Sequence, residues 1–213
     1  MQLNLGSKEI ITGLRKEIES GLPGLNAHKL MSPVDRIYGP VNGDIPVQSA
    51  VCIILNFSSG IPCVLFIERA IYNGVHSGQI AFPGGKYDAA FDSNLQDTVI
   101  RETFEEVGLR IKPSQIIGVL TPLYIPASNM IVSPYVTIYK DSFSLHIDPS
   151  EVNAAFSLPV AEFKQDHVKT GVFSGNNYQI EAPYYDVENL RIWGATAMIM
   201  TEFVILFSRI YNV

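Results

Sequence analysis

The chain has 213 residues, of which 47% are hydrophobic and 17% are charged, and its formal net charge is −6. A chain of this length and apolar content can bury the core of one globular domain. Its acidic balance argues against a general nucleic-acid-binding surface, because phosphate backbones recruit clustered Lys and Arg. A small phosphorylated ligand held through a metal ion remains compatible with this composition.

The N-terminal region predicts a helix followed by an irregular linker. Apolar residues recur at helical spacing between Ser7 and Ser20, with Ser7 as the cap. Frequent Pro and Gly from Pro23 to Pro46 predict a segment that wraps over the core. We therefore divide the chain into an extension, residues 1–46, and a main domain, residues 47–213. The first six residues lack a basic region followed by an apolar run, which predicts a cytoplasmic protein without a secretory signal.

The main domain alternates strand patterns with helices. Apolar and alternating runs predict a mixed sheet and a later hairpin that turns at residues 175–177. With a helix between the strands and helices at both ends, these elements predict an α/β/α sandwich. The predicted strands are residues 48–57, 61–68, 115–123, 131–139, 168–173, 178–185 and 190–193.

The closing helix, predicted over residues 195–211, is apolar enough to raise the question of a membrane span. Glu202 and Arg209 interrupt it, and a spanning helix needs about 20 mainly apolar residues. A buried core helix or a dimer-interface helix is therefore expected, with no membrane partner. Cys52 and Cys63 lie in apolar runs without metal-ligand spacing, which predicts buried, reduced thiols.

A glycine turn and a helix carry the densest group of acidic residues in the chain. Gly84 and Gly85 precede a helix predicted over residues 94–107, with a capping box from Ser93 to Gln96 and a left-handed closing residue at Gly108. A helical wheel gathers three carboxylates on one sector beside the apolar arc. The negative charges of these carboxylates repel one another unless a cation compensates them, and carboxylates are the ligands that Mg²⁺ prefers. The three residues are Glu102, Glu105 and Glu106.

Residues 101–109 resemble the second half of the Nudix box, which marks hydrolases of nucleoside diphosphates linked to another group. The Arg-Glu pair, the Glu-Glu pair and Gly108 all stand at the family's spacing. The first half departs from the pattern, because the segment from Gly85 to Arg101 is longer and Asp92 is the nearest candidate for the upstream Glu. The resemblance implies the Nudix fold, Mg²⁺ or Mn²⁺ as cofactor, and a homodimer as an expectation.

A second resemblance narrows the family. Residues 65–70, Gly78 and residues 82–85 are similar to the additional pattern of the coenzyme A pyrophosphatase subfamily, although Gly74 stands where that pattern has Arg. Residues 132–136, 151–152 and 192–197 also look like that subfamily. The resemblance implies hydrolysis of coenzyme A or acyl-coenzyme A to 3′,5′-ADP and 4′-phosphopantetheine. The alternatives are another substrate, of the ADP-ribose type, or a Nudix-fold module that senses a nucleotide without hydrolysing it.

The resemblance also implies roles for individual residues. Metal binding falls to Glu102, Glu105 and Glu106, and Arg101 is expected to form an orienting ion pair with a carboxylate of the site. The base that activates water stays open between Glu105 and Glu151. The residues expected to bind substrate are Arg69, His76, Gly84, Gly85 and Lys86.

Overall fold

A computed structural model of the chain describes residues 6–40, 43–74, 76–140, 143–175 and 178–211. Its main sheet has eight strands and is mixed, because β1 and β7 run parallel while the other neighbours are antiparallel. The strands are β1 (Val47–Asn56), β2 (Cys63–Arg69), β3 (Ile80–Ala81), β4 (Gly84–Lys86), β5 (Ile116–Val119), β6 (Leu123–Ile125), β7 (Met130–Tyr139) and β8 (Val152–Pro159).

The order of the strands places β1 at the centre. The sheet runs β3-β2-β1-β7-β5, while β4 pairs with β1, β6 with β7 and β8 with β2. The parallel pairing of β1 and β7 extends from Val47 opposite Met130 to Asn56 opposite Tyr139. Because β1 also pairs with β4, the glycine turn is held directly against the middle of the sheet.

Both faces of this sheet are covered by helices, so the predicted α/β/α sandwich is confirmed. Side chains alternate between the faces of a strand. In β1, Ile53 and Leu55 face a core shared with α1 (Ser7–Ser20) and α4 (Gly194–Ser208), while Cys52 and Ile54 face α3 (Leu95–Val107). Cys52 and Cys63 are free and buried, as predicted.

A second, smaller sheet follows the main one. Its strands β9 (Val168–Gly175), β10 (Tyr178–Val187) and β11 (Leu190–Trp193) are antiparallel in the order β11-β10-β9. The predicted hairpin and the predicted last strand are therefore confirmed. The turn predicted at residues 175–177 lies partly outside the described residues, because the structure does not describe residues 176 and 177.

Four details of the secondary structure differ from the prediction. The linker holds a short helix, α2 (Leu25–Lys29), and β8 was not predicted at all. The single strand predicted over residues 115–123 is divided into β5 and β6, because β7 pairs with each of them separately. The first helix is capped by Gly6 instead of Ser7, since the Glu9 carboxylate accepts the Gly6 amide hydrogen at 2.8 Å.

Glu202 joins the segment before β1 to the helix α4 and to Thr121. Its carboxylate is fully buried and accepts hydrogen bonds from the Gly24 amide at 2.8 Å and from the hydroxyl of Thr121 at 2.6 Å. His28, also buried, contacts the same carboxylate at 3.2 Å. Burial alone would raise the pKa of Glu202, but these hydrogen bonds outweigh it and lower that pKa. The residue that interrupts the apolar pattern of α4 is therefore a polar anchor.

The closing helix packs inside the molecule. Phe203 and Phe207 are fully buried in the core on the α4 face of the sheet. Within the described part of the chain, no helix is both long and apolar enough to cross a bilayer.

Candidate active site

The carboxylate-bearing helix α3 begins at Leu95, one residue later than predicted. Asn94 is the N-cap, because its side-chain oxygen accepts the amide hydrogens of Gln96 at 2.8 Å and Asp97 at 3.2 Å. The capping box predicted at Ser93 is therefore wrong by one position. Gly108 closes the helix in the left-handed conformation with φ 73°, as predicted. Both ends of the helix are thus fixed by local hydrogen bonding.

Three carboxylates meet above the middle of the sheet. Glu102 and Glu106 lie one turn apart on α3, and Glu151 stands immediately before β8. One carboxylate oxygen from each lies within 4.8 Å of the others. Hard divalent cations take oxygen ligands, and Mg²⁺ is usually held by one or two carboxylates together with substrate phosphates. The donor set of this carboxylate cluster therefore fits Mg²⁺ or Mn²⁺.

Glu106 is the most buried member of the cluster, with 1% of its surface exposed. Burial raises the pKa of Glu106 to about 8, although the Gly84 amide donates to its carboxylate at 2.8 Å and Arg69 lies 3.7 Å away. Burial also raises the pKa of Glu102. A raised pKa means that the surroundings oppose the negative charge, so a cation would stabilise the ionised pair. The helical wheel placed Glu106 on the sector beside the apolar arc, and β4 buries it because the Gly84 amide packs against its carboxylate.

The two glycines of β4 are needed for this packing. Gly84 has φ 148°, and a Cβ atom there would lie 2.3 Å from the Ala50 carbonyl oxygen. A Cβ atom at Gly85 would lie 2.3 Å from the carboxyl carbon of Glu102. The glycine pair therefore lets one strand fit between β1 and the carboxylates, at a distance that no side chain would permit.

Arg101 links the upstream loop to the cluster. Its guanidinium makes a two-pronged contact with Asp92, at 2.9 Å from Nε and 2.8 Å from Nη2. The Nη1 atom donates to Glu102 at 2.7 Å and to Glu105 at 2.9 Å. One cation thus orients three carboxylates, of which Glu102 belongs to the cluster.

Asp92 is buried, and the longer loop brings it within reach of Arg101. The amide of Asp92 donates to the Asp88 carbonyl at 2.8 Å, which closes residues 88–92 into a compact turn. Its carboxylate accepts hydrogen bonds from Thr98 at 2.8 Å and from the Asp88 amide at 3.0 Å. Hydrogen bonds from Arg101 lower the pKa of Asp92 well below its usual range. Asp92 is shorter than the Glu expected at this position, and the longer loop that carries it compensates, so that its carboxylate still holds the Arg101 guanidinium.

The other residues predicted for the site lie at different depths. Glu105 is about half exposed and stands outside the three-carboxylate cluster, joined to it through Arg101. His76 contacts the side chain of Gln79 at 3.2 Å, and burial lowers its pKa. The side chain of Lys86 is exposed, and its carbonyl accepts a hydrogen bond from Arg101 at 3.2 Å. The structure thus brings Arg69, Gly84 and Gly85 to the cluster, but not His76.

Glu151 was expected from the sequence only as a candidate base, but the structure places it with Glu102 and Glu106 in the carboxylate cluster. Its position depends on β8, which the sequence did not predict. A signal was present, since Val152, Ala154, Phe156 and Leu158 alternate with other residues at the period of a strand. A strand beginning at residue 152 and pairing with β2 would have put Glu151 beside Arg69.

Residues 46–173 match the family described as the NUDIX domain, which covers more than half of the chain. The chain therefore belongs to the Nudix family and is a Nudix pyrophosphohydrolase.

Among curated proteins it is similar to the mitochondrial coenzyme A diphosphatase NUDT8 of Homo sapiens, with 34% identity over 164 residues, which are 75% of this chain and 69% of that protein. It is also 33% identical to the Nudix hydrolase NudL of Salmonella paratyphi B over 144 residues, which are 66% of this chain and 73% of NudL.

Solved structures share the fold. The MutT protein from Methanosarcina mazei Go1 superposes with a TM-score of 0.53 at 17% identity and covers 79% of this chain and 97% of its own. The Nudix hydrolase RenU from M. smegmatis superposes with a TM-score of 0.52 at 13% identity. The match covers 84% of this chain and 98% of RenU. At these identities the likeness shows the fold alone.

Proposed function

We propose that this Nudix hydrolase cleaves the diphosphate of coenzyme A or an acyl-coenzyme A in a reaction that depends on a divalent cation. The carboxylate cluster carries the proposal, because it joins Glu102, Glu106 and Glu151 beside the glycine pair of β4, whose backbone packs directly against the carboxylates. The similarity to a human coenzyme A diphosphatase supports the choice of substrate. The products would be 3′,5′-ADP and 4′-phosphopantetheine.

The chemistry requires that negative charge be neutralised while water attacks phosphorus. In the hydrolysis, the water oxygen forms a bond to one phosphorus atom and the bridging P–O bond breaks, leaving two phosphomonoesters and releasing protons. A bound Mg²⁺ or Mn²⁺ would supply charge neutralisation and lower the pKa of coordinated water. Glu102, Glu106 and Glu151 would hold that ion.

The remaining residues of the site position the reactants. Arg69 approaches the buried end of the cluster, and its Nε atom is a buried donor without a hydrogen-bond partner among the described residues. We assign this guanidinium to a phosphoryl oxygen of the substrate, because phosphate is the natural partner of an unpaired Arg donor. Gly84 and Gly85 would let the same phosphates approach the backbone.

Glu105 is our candidate for the base. The same Arg101 nitrogen contacts Glu102 and Glu105, so the two carboxylates lie on either side of one cation. Glu105 is also the more exposed of the two, and it can exchange a proton with solvent after accepting it from the attacking water. Glu151 would then serve as a ligand, although it was also considered as a base.

Product analysis tests the proposal. The purified protein is incubated with coenzyme A, ADP-ribose or a dinucleoside polyphosphate, each with Mg²⁺, with Mn²⁺ or with excess chelator. We expect coenzyme A to give 3′,5′-ADP and 4′-phosphopantetheine only when a divalent cation is present. Turnover of ADP-ribose without turnover of coenzyme A would overturn the substrate assignment. No turnover of any diphosphate would favour a nucleotide-sensing module.

A further inference from the structure

A cleft of about 540 Å³ lies between the main sheet and the second sheet. The loop after β2 forms one wall, with Tyr72 and Ser77, and the second sheet forms the other, with Phe173, Arg191 and Trp193. Its volume falls within the range of about 300–1,000 Å³ that is typical of small-molecule sites. The carboxylate cluster contributes none of its three residues to this lining.

The cleft offers a flat aromatic wall and a cation. Phe173 and Trp193 are stacked, with ring centroids 4.2 Å apart and an angle of 10° between the rings. The Arg191 guanidinium lies 5.4 Å above the Tyr184 ring. Within the described part of the chain, no carboxylate lies at ion-pair distance from Arg191, and Asp186, which stands opposite it in the sheet, pairs with Lys169. An exposed guanidinium beside aromatic rings can bind an anion attached to a planar ring.

Gly74 shapes the opposite wall. A Cβ atom at Gly74 would lie 2.2 Å from the Tyr72 ring, so any side chain there would push the ring away. Tyr72 is 45% exposed and lines the cleft. The glycine therefore allows Tyr72 to present its ring to the same space as Trp193.

The cleft and the carboxylate cluster share two short pieces of chain. Glu68 lines the cleft while its neighbour Arg69 reaches Glu106, and the strand pairing shifts register between the two residues. Bulges of this kind redirect side chains beside active sites. Asn153, two residues after Glu151, donates to the Glu68 carboxylate at 2.6 Å. A ligand with its diphosphate at the cluster therefore needs to cross only the end of β2 to enter the cleft.

We propose that this cleft binds the purine nucleotide end of the substrate, with the ring against the aromatic wall and the phosphate that is not cleaved against Arg191. The exocyclic amino group of adenine would have an acceptor in Glu68. A purine nucleotide fits because the walls combine aromatic surface, a hydrogen-bond acceptor and a cation, whereas a flexible aliphatic arm needs no cation. The inference rests on the proposed function, since it assigns one end of that substrate.

The first test measures binding without catalysis. Trp193 is the only tryptophan of the chain, so its fluorescence reports on the cleft. Adenosine 3′,5′-bisphosphate, titrated with chelator present, should change that fluorescence saturably. Arg191→Met should weaken the binding about tenfold, because a charge-assisted contact is lost, and Arg191→Lys should restore part of it. No saturable change, or equal affinity in Arg191→Met, would overturn the inference.

A matched control distinguishes a specific contact in the cleft from the general effect of removing one positive charge. Arg110 also lies over an aromatic ring, 4.2 Å from the centroid of Phe104, but it does not line the cleft. Arg110→Met should therefore bind the bisphosphate as the unchanged protein does. Equal weakening by Arg110→Met and Arg191→Met would show that the effect is one of net charge and would contradict the inference.

The second test uses turnover. Arg191→Met should raise the KM for coenzyme A about tenfold and leave kcat within about twofold, since the contact lies away from the reacting atoms. The same variant should leave the KM for dephospho-coenzyme A unchanged, because that substrate lacks the 3′-phosphate. An equal rise in both KM values would overturn the role of Arg191.

The two proposals fail in different ways. A protein that binds the bisphosphate in the cleft but does not hydrolyse coenzyme A would refute the proposed substrate and keep the cleft. If the protein hydrolyses coenzyme A but Arg191→Met behaves like the unchanged protein in both tests, the proposed substrate stands and the proposed role of the cleft is refuted.

Discussion

Replacing Glu106 with Gln is expected to lower the cation-dependent rate by more than about 100-fold, since even residues that only support metal ligands cost 10–100-fold when changed. Gln keeps the shape of the side chain and can still accept the Gly84 amide hydrogen, but it removes the most buried charge of the cluster. The folded protein should lose no stability without metal, because burial opposes the ionisation of this carboxyl. Steady-state kinetics and thermal unfolding measure the two effects.

Glu202→Gln is the matched control. Among the described residues, Glu106 and Glu202 are the two buried glutamates. Its carboxylate accepts hydrogen bonds from Gly24 and from Thr121, so replacing it with an amide should lower the free energy of unfolding by about 1–3 kcal/mol. The rate at a temperature where the variant is folded should not change. If Glu106→Gln kept its rate, or if both variants lost activity to the same degree, the metal-binding role of Glu106 would be wrong.

Asp92→Ala is expected to have the second largest effect, on both stability and rate. The change leaves Arg101, Thr98 and the Asp88 amide without their shared acceptor. Because the aspartate is buried, we expect a loss of about 2–4 kcal/mol in the free energy of unfolding. The rate should fall about 10–100-fold, because Arg101 then no longer holds Glu102 in place.

The pH dependence of stability gives a separate test of Asp92. Its pKa in the folded protein is lowered by Arg101, so its stabilisation is fully present above the ordinary pKa of 3.8 and is lost as the pH falls toward the lowered value. The difference in unfolding free energy between the unchanged protein and Asp92→Ala should therefore shrink only below about pH 4. Chemical denaturation at several pH values measures it. A difference that is absent at pH 7 would contradict the anchoring role of Asp92.

The sequence predicted the parts of this protein that depend on local patterns. Strand periodicity identified β1, β2, β7 and β11, and the spacing around Arg101 identified the family. Gly108 ended the helix as expected because a left-handed residue is a local requirement. The fold and the enzyme class could be predicted because strand periodicity, motif spacing and helix ends depend on residues that are close together in the chain.

The sequence could not predict features that arise from distant contacts. The burial of Glu106 depends on β4, which approaches it only because Gly84 pairs with β1. The role of Glu202 depends on Gly24 and Thr121, which are far away in the chain. The cleft likewise forms between a loop after β2 and a sheet about 100 residues later. In each case tertiary packing decides what a charged side chain does.

Crystals soaked in Mn²⁺ with a non-hydrolysable diphosphate, measured for anomalous scattering, test the central claim most directly. We predict a Mn²⁺ peak within roughly 2.2 Å of carboxylate oxygens of Glu102, Glu106 and Glu151, with a phosphoryl oxygen completing its ligands. A peak elsewhere in the molecule, with these three carboxylates free of metal while the diphosphate is bound, would contradict the account.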